Sequence, residues 1–557
     1  MKKIVQFLNS GKTSIINIPP PIIGKNEVLI KTIKSLISIG TEKNLIEFSK
    51  SNIFQKAKKE PDKLQKVIKD VLSNGLFPTY NYVNLKLSEP YPLGYCNIGE
   101  VIQIGSNVKN IKNGDIVVSN GSHSELNAVN QNLCCVVPKN VSFEDAVFTV
   151  LASISLNAIR LTNAEIGNKV LVIGSGLVGL ITSKLLIAAG CNPFMLDNNK
   201  DRVKIAKNLG FKACNTNDEF KDEANYITAN HGFDSTLICT STKKNDPIEI
   251  AQDLTRKKGK IILIGQSGLN LSRNKFYFKE LSFGVSLSYG PGRYDKNYEN
   301  KSLDYPIEYV RFTEKRNFES ILNLLANNQV KFNDLITHSI PFDDYNKAYN
   351  DLDNKNKLAV ILEYSNKNNA DNTTKLDLKN KNKKIDTKII IGSIGSSNYA
   401  NKFIFPNLKG KNITLKTIVS KNGLTGFNAF KKYRFVDQAS NADFIINDKE
   451  INTVFISSLH NLHSSFVIKS IINNKNIYVD KPLAINIDEL NKIKDLLKTY
   501  QKTIQIGFNR RYSRFSKIIR KEIIKSKKPK FFNYNINAGY LANDSWIKDK
   551  EISGGRI

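Results

Sequence analysis

The chain has 557 residues, 82 Lys and Arg against 51 Asp and Glu, and a formal charge of +31; at that length a single hydrophobic core is excluded and roughly three or four folded units are expected. A composition of 41% hydrophobic, 24% charged and 9% aromatic residues excludes a disordered or fibrous chain. The charge invites a nucleic-acid partner, but Lys is spread along the whole chain among abundant Asn and Ile without forming a stripe, so no nucleic acid is expected and the excess charge is left to steer an anionic substrate or cofactor.

Six cysteines, Cys96, Cys134, Cys135, Cys191, Cys214 and Cys239, make no CxxC pair, which fits reduced thiols and a cytoplasmic protein. The opening MKKIVQFLNSGK has no apolar signal core, and no stretch reaches the roughly 18 uninterrupted apolar residues of a spanning helix, so no membrane partner is expected.

Residues 1–150 alternate β-rich runs with turns, among them EVLIKTI, GEVIQIGSNVKNIKNGDIVVSNG and NLCCVVP, and predict a compact β-rich unit. Inside it Glu42 to Asn74 contains no glycine and predicts one or two basic helices, broken near Pro61, as an inserted lobe. From 151 to 329 strands and helices alternate through KVLVIGSGLVGLITSKLLIAAG, NPFMLD, DSTLICT and KIILIGQSG, the pattern of a parallel sheet covered on both faces. Residues 330–363, ending in LAVILEY, return to the first unit. The segment 364–387 holds four apolar residues between Ser365 and Thr387 and predicts a linker, because so little apolar surface does not offset the entropy of ordering it. Over 388–503 the alternation restarts with KIIIGSIG, ITLKTIVS, INTVFISS, a helix from about His463, NIYVD, and a helix in INIDELNKIKDLL capped by Asn486 with Glu489 as its reciprocal partner. The fold class is α/β with two doubly wound sheets.

Gly174-Ser-Gly176-Leu177-Val178-Gly179 follows the strand KVLVI and opens an apolar helix. The first glycine permits a tight turn, the second admits pyrophosphate to the backbone, and the third lets helix and strand pack closely, with the helix N-terminus facing the phosphates. Asp197 ends the next strand, where a carboxylate bonds a ribose 2′-hydroxyl and repels a 2′-phosphate, so NAD is the expected cofactor of the first half. An acidic strand end followed by a turn is the plain alternative.

On this loop, the run PLGYCNIGEVIQIGSNVKNIKNGDIV and the returning tail, residues 1–363 resemble the zinc-type alcohol dehydrogenase superfamily, the medium-chain dehydrogenases. The resemblance implies a GroES-like catalytic domain followed by a Rossmann domain. It also implies a catalytic zinc, for which this chain lacks the ligands. Ile39-Gly40-Thr41-Glu42 stands where a Cys-containing run is usual and Gly94-Tyr95-Cys96 where G-H-E is usual, so no zinc is expected. A group must still move the alcohol proton and stabilise charge on oxygen. Thr41 occupies the family's proton-relay position, Tyr95 that of the zinc-bound His, and His123 lies in the nearby SNGSHSE turn. Tyr95 is equally suited to packing against the cofactor domain, and His123 to a surface turn. Arg293 and Tyr294, in the loop SYGPGRYD, are candidates for gripping a substrate carboxylate or phosphate, unless that loop is only a structural turn.

Residues 388–557 resemble the glucose-fructose oxidoreductase and inositol dehydrogenase family, Gfo/Idh/MocA, through IIIGSIGSSNYA, VFISSLHNLHSSFV, YVDKPLA and QIGFNRRY in order. The resemblance implies a second Rossmann domain and, over 504–557, the incomplete start of an α+β domain. It makes Lys481 of Asp480-Lys481-Pro482 a catalytic proton-transfer lysine and brings His463 and Arg510 to the site. The phosphate loop would be Gly395, Ser397 and Asn398, with Ser397 where a second glycine is expected, and the next strand ends at Ser420-Lys421 without an acid, compatible with NAD or NADP.

The sequence therefore predicts a bi-domain nicotinamide-dependent oxidoreductase for a small polar metabolite, a sugar or sugar derivative on the second resemblance, with a homo-oligomer compatible. The competing reading is a nucleotide-binding redox sensor or scaffold without catalysis in one or both halves.

Overall fold

A computed structural model describes residues 1–52, 55–56, 65, 67, 80, 83–84, 86–216, 220–350, 357–365, 375–377, 389–408, 410–525, 527–533, 535 and 545–555. The chain divides into two compact units, Met1–Ile16 with Ile23–Thr79 and Pro90–Ala370, and Asn17–Ile22 with Tyr80–Glu89 and Asp371–Ile557.

In the first unit the long strand Glu27–Ile37 organises the β-rich part. It pairs antiparallel with Asn97–Ile104, Leu126–Asn130 and, from the far end of the unit, Ala359–Glu363. Ile336–Pro341 adds parallel to that last strand, and Ile116–Ser119 and Cys134–Val136 extend the other side. The returning strand stays because it buries Val360 and Leu362 against Ile4, Ile37 and Leu93. The helix Thr149–Thr162, apolar on nearly all sides, is buried as such a helix must be. It joins Val28, Ile98 and Val118 of the β-rich part to Val170, Val172 and Leu180 of the α/β part in one continuous core.

That α/β part is a six-stranded parallel sheet in the order Lys212–Asn215, Asn192–Asp197, Lys169–Ile173, Phe233–Ile238, Thr255–Leu263, Ser282–Val285. Both of its faces are covered, which is why Val170–Ile173 is apolar throughout: Val170 and Val172 pack to one side, Leu171 and Ile173 to the other. The first strand lies between the second and fourth, and the crevice at that reversal, outside the strand C-termini, is where doubly wound sheets hold ligands.

The second unit repeats this order with Asp437–Ala439, Thr414–Val419, Ile390–Ile394, Thr453–Ile456, Asn476–Val479 and Ile504–Ile506. Its core joins Ile394, Val454, Ile456 and Val479 to Val467 and Ile471 of the helix His463–Ile472. Asn486 caps the helix Ile487–Leu496 by accepting the Glu489 N–H, and Glu489 reaches back to the Ile485 N–H, one residue before the expected partner.

Several expectations need correction. The helix expected from Glu42 begins at Ile39, and Pro61 and Asn74 of the inserted lobe lie outside the described residues. Within the segment read as a linker, Lys375–Asp377 forms an edge strand antiparallel to Asp437–Ala439; pairing through backbone groups leaves no hydrophobic signature in the sequence. The sheet strands Lys212–Asn215, Ser282–Val285 and Asp437–Ala439 are only three or four residues long, too short for periodicity to mark.

Candidate functional site

In the first unit the glycine loop has the shape its sequence demands. Gly174 sits at φ +108°, and a Cβ on Gly179 would lie 1.8 Å from the Gly174 carbonyl oxygen, so neither tolerates a side chain. Gly176 caps the helix Leu177–Ala188, and a Cβ there would meet only an Arg202 guanidinium nitrogen, at 3.8 Å. The loop thus leaves open space over a helix N-terminus, with Leu177 and Val178 half-buried on its first turn. Buried Asp197 holds the loop from below, accepting the Ser175 N–H at 2.7 Å and the Asn199 N–H at 2.8 Å. These features fit a dinucleotide. Sequence reasoning passed over Arg202, although its place five residues after Asp197, on the first turn of the next helix, carries it to this cradle.

The helix Ile39–Lys50 approaches the same strand ends, its Asn44 amide donating to the Ser241 hydroxyl beyond Phe233–Ile238 at 3.1 Å. At its start Tyr95 donates to the Ser38 hydroxyl at 2.8 Å, and Ser38 donates to Thr41 at 3.3 Å. Thr41 is exposed, so three hydroxyls run from a half-buried phenol to solvent. Burial pushes the Tyr95 phenol well above its ordinary pKa, and it stands as a neutral acid.

Behind this row lies a polar cluster that the sequence did not announce. Glu42, next to Thr41, is buried and accepts from the Ser38 N–H at 3.1 Å and from the Tyr349 hydroxyl. His123 Nε2 lies 3.2 Å from Glu42 Oε1 and its Nδ1 lies 2.8 Å from the Ser35 hydroxyl, which also bonds Tyr364. His123 is therefore not a surface turn residue or a group free for catalysis: it is fully buried and both ring nitrogens are engaged. Its ring also explains Gly94, where a Cβ would lie 2.6 Å from it.

This donor set does not fit zinc. Glu42 is saturated by donors, and the buried Cys96 thiol is held well above its ordinary pKa by burial and by Glu42. Among the described residues no three His, Cys, Asp or Glu side chains are grouped to hold a metal ion.

Arg293 also needs correction. One amino group pairs with Glu299 at 2.6 Å and the guanidinium lies over the Tyr294 ring, so one arm of the fork proposed for a substrate anion is held within its own loop while the buried Nε has no hydrogen-bond partner. Tyr294 itself is exposed at φ +65°. Beside them Glu314 is fully buried with neither carboxylate oxygen hydrogen-bonded, and burial, with Glu299 adding to it, pushes its pKa up to about 8.

In the second unit Gly395 adopts φ +97°, and a Cβ there would lie 2.3 Å from the Ser457 carbonyl oxygen. The Ser397 hydroxyl accepts the Ala400 N–H at 3.0 Å and bonds the Ser457 hydroxyl; Asn398 is exposed beside it. Ser457 donates to Asp480 at 2.6 Å, and Tyr478 donates to the other Asp480 oxygen at 3.1 Å. Asn509 bonds both Tyr478 and Tyr399. Burial raises the Asp480 pKa, against these two hydroxyls. Lys481 is exposed at the end of this row, and Arg510 is exposed in the turn Asn509–Tyr512. Ser420 is buried and accepts the Gly426 N–H at 3.0 Å, while Lys421 is on the surface. His463 is buried, with Nδ1 2.7 Å from the Pro482 carbonyl and Nε2 3.2 Å from that of Ser458. It is a holder of the turn after Lys481 and has no nitrogen left for a substrate, correcting its place among the catalytic candidates.

The comparisons agree with two successive sites. Residues 178–302 match the family model described as zinc-binding dehydrogenase, and residues 389–508 that of an oxidoreductase family with an NAD-binding Rossmann fold. The L-idonate 5-dehydrogenase of Vitis vinifera is 27% identical over 34% of this chain and 62% of its own length. The D-xylulose reductase of Scheffersomyces stipitis is 24% identical over 50% of this chain and 83% of its own. The alcohol dehydrogenase TADH from Thermus sp. ATN1 superposes with a TM-score of 0.50 at 17% identity, covering 66% of this chain and all of that one, a likeness of fold. Segments that match two oxidoreductase family models thus follow one another in this polypeptide, first that of zinc-binding dehydrogenases and then that of the Gfo/Idh/MocA oxidoreductases.

Proposed function

We propose that the chain is a two-unit nicotinamide-dependent oxidoreductase that interconverts CH–OH and carbonyl groups of a small polar metabolite, a sugar or sugar derivative. The observation that carries this reading is the hydroxyl row Tyr95, Ser38, Thr41, at the start of the helix whose Asn44 reaches the strand end at Ser241, in a unit that holds a glycine loop shaped for a dinucleotide. The relatives named for idonate and xylulose support a polyol or sugar substrate. The first half is assigned residues 1–150 with 330–363 as its β-rich catalytic domain and 151–329 as its NAD domain. The second is assigned 388–503 and 504–557.

Gly174, Gly176 and Gly179 would hold the pyrophosphate of a nicotinamide dinucleotide, which would supply or accept the hydride. Tyr95 gives its proton to the substrate carbonyl oxygen in reduction, Ser38 restores it, and Thr41 recovers the proton from water; oxidation runs the row backwards. Because Tyr95 is held protonated, it also steadies the charge that develops on that oxygen. Zinc has no part, since the donors around Glu42 are engaged with one another. The negative charge of Asp197 at this strand end, though both oxygens hold the loop backbone, would repel a 2′-phosphate and favours NAD. In the second unit Lys481 is the proton-transfer group, and Ser420-Lys421 suits NAD or NADP. A cytoplasmic location fits six free cysteines.

A non-catalytic second unit is the other reading worth keeping, and Ser397 is what favours it. A screen of polyols, sugars and their carbonyl forms, following nicotinamide absorbance with NAD and NADP, tests the proposal. Turnover of a polyol or sugar supports it; saturable cofactor binding with no turnover across the panel makes the chain a sensor or scaffold.

A further inference from the structure

The two phosphate loops occupy the same place in sheets of the same strand order, so they are directly comparable. At the second loop position the first unit has Gly176, with open space up to Arg202. The second unit has Ser397, whose hydroxyl already takes the Ala400 N–H at the start of the helical turn and bonds Ser457. That N–H is one of the donors a pyrophosphate uses at a helix N-terminus. Ser457 in turn donates to Asp480 at 2.6 Å, so Ser397 is the outer end of a hydroxyl chain leading to a half-buried carboxylate. An arriving phosphate must therefore displace the Ser397 hydroxyl from both partners and pass its β-carbon.

We propose that Ser397 makes the second unit the weaker of two unequal dinucleotide sites, so that the first unit fills at cofactor concentrations that leave the second largely unfilled. This rests on the reading of both units as nicotinamide-binding. The exchange Ser397 enforces is one hydrogen bond broken for each one made to phosphate, whereas Gly176 leaves its helix N-terminus unengaged by any side chain at that position. Loss of one charge-assisted hydrogen bond corresponds to about tenfold or more in affinity.

The test is fluorescence titration of the full chain with NADH and, separately, with NADPH, reading binding without any substrate. The parent chain should show two phases, the second at least about tenfold weaker. Ser397→Gly should tighten the second phase by about tenfold or more and leave the first in place, with Ser397→Ala falling between because it frees the N–H but keeps the β-carbon. Repeating the titration with Gly179→Val, which closes the first loop, should remove the tight phase and leave the one that responds to Ser397. If Ser397→Gly leaves the weak phase unchanged or weakens it, the serine does not oppose phosphate binding and the inference is overturned. If no variant shows a second phase, the assignment of the second unit as a nicotinamide site fails instead.

Discussion

At the scale of single residues, Tyr95 and Lys481 carry the proposed chemistry and Glu314 carries a measurable pH effect. Tyr95→Phe keeps the ring and removes the acid, and should lower first-unit turnover by about two to four orders of magnitude while NAD affinity holds, in steady-state kinetics paired with a binding titration. Lys481→Met should lower turnover of any second-unit substrate by a similar two to four orders of magnitude. Glu314, raised from 4.5 to about 8 by burial, keeps in the folded state a proton that the unfolded chain gives up. Its contribution is fully present below about pH 4.5 and is lost as the pH rises to about 8. Urea unfolding at pH 5 and pH 9 should show a loss of roughly 2–4 kcal/mol that Glu314→Gln removes; equal losses in the two proteins would place the titration elsewhere.

Among elements, the glycine loop is the most exacting. Gly179→Ala puts a methyl group 1.8 Å from the Gly174 carbonyl oxygen, and should abolish the tight nicotinamide phase and lower the melting temperature. Persistence of that phase in the variant would mean the loop is not the phosphate site. This loop was legible in the sequence because Gly174 and Gly179 answer backbone requirements that only glycine meets, and the apolar run Val170–Ile173 because both of its faces are buried. Thr41 and Tyr95 were legible as positions in a resemblance, but the bond from Tyr95 through Ser38 was not, since it joins residues 57 apart. His123 and His463 misled for the same reason: a histidine in a polar turn carries no local sign of burial, which comes from Gly94 and Glu42 in one case and from two backbone carbonyls in the other. Glu42 adjoins Thr41 but carries no local sign of a role, because its partners, His123 and Tyr349, arrive from distant segments.

For the whole molecule, what matters is that one chain carries two sheets of identical strand order with different equipment at their C-terminal edges. The first has an open glycine cradle and a hydroxyl row ending in solvent; the second has a narrowed cradle and a row ending at Asp480, next to the exposed Lys481. The most direct measurement of the central claim is nicotinamide oxidation and reduction by the full chain with a panel of polyols, sugars and sugar aldehydes, run in parallel on Tyr95→Phe. The account predicts NAD-linked turnover of at least one member of the panel, reduced by about two to four orders of magnitude in the variant at unchanged NAD affinity. Turnover at the parental rate in Tyr95→Phe, or tight NAD binding with no turnover of any member, would contradict it.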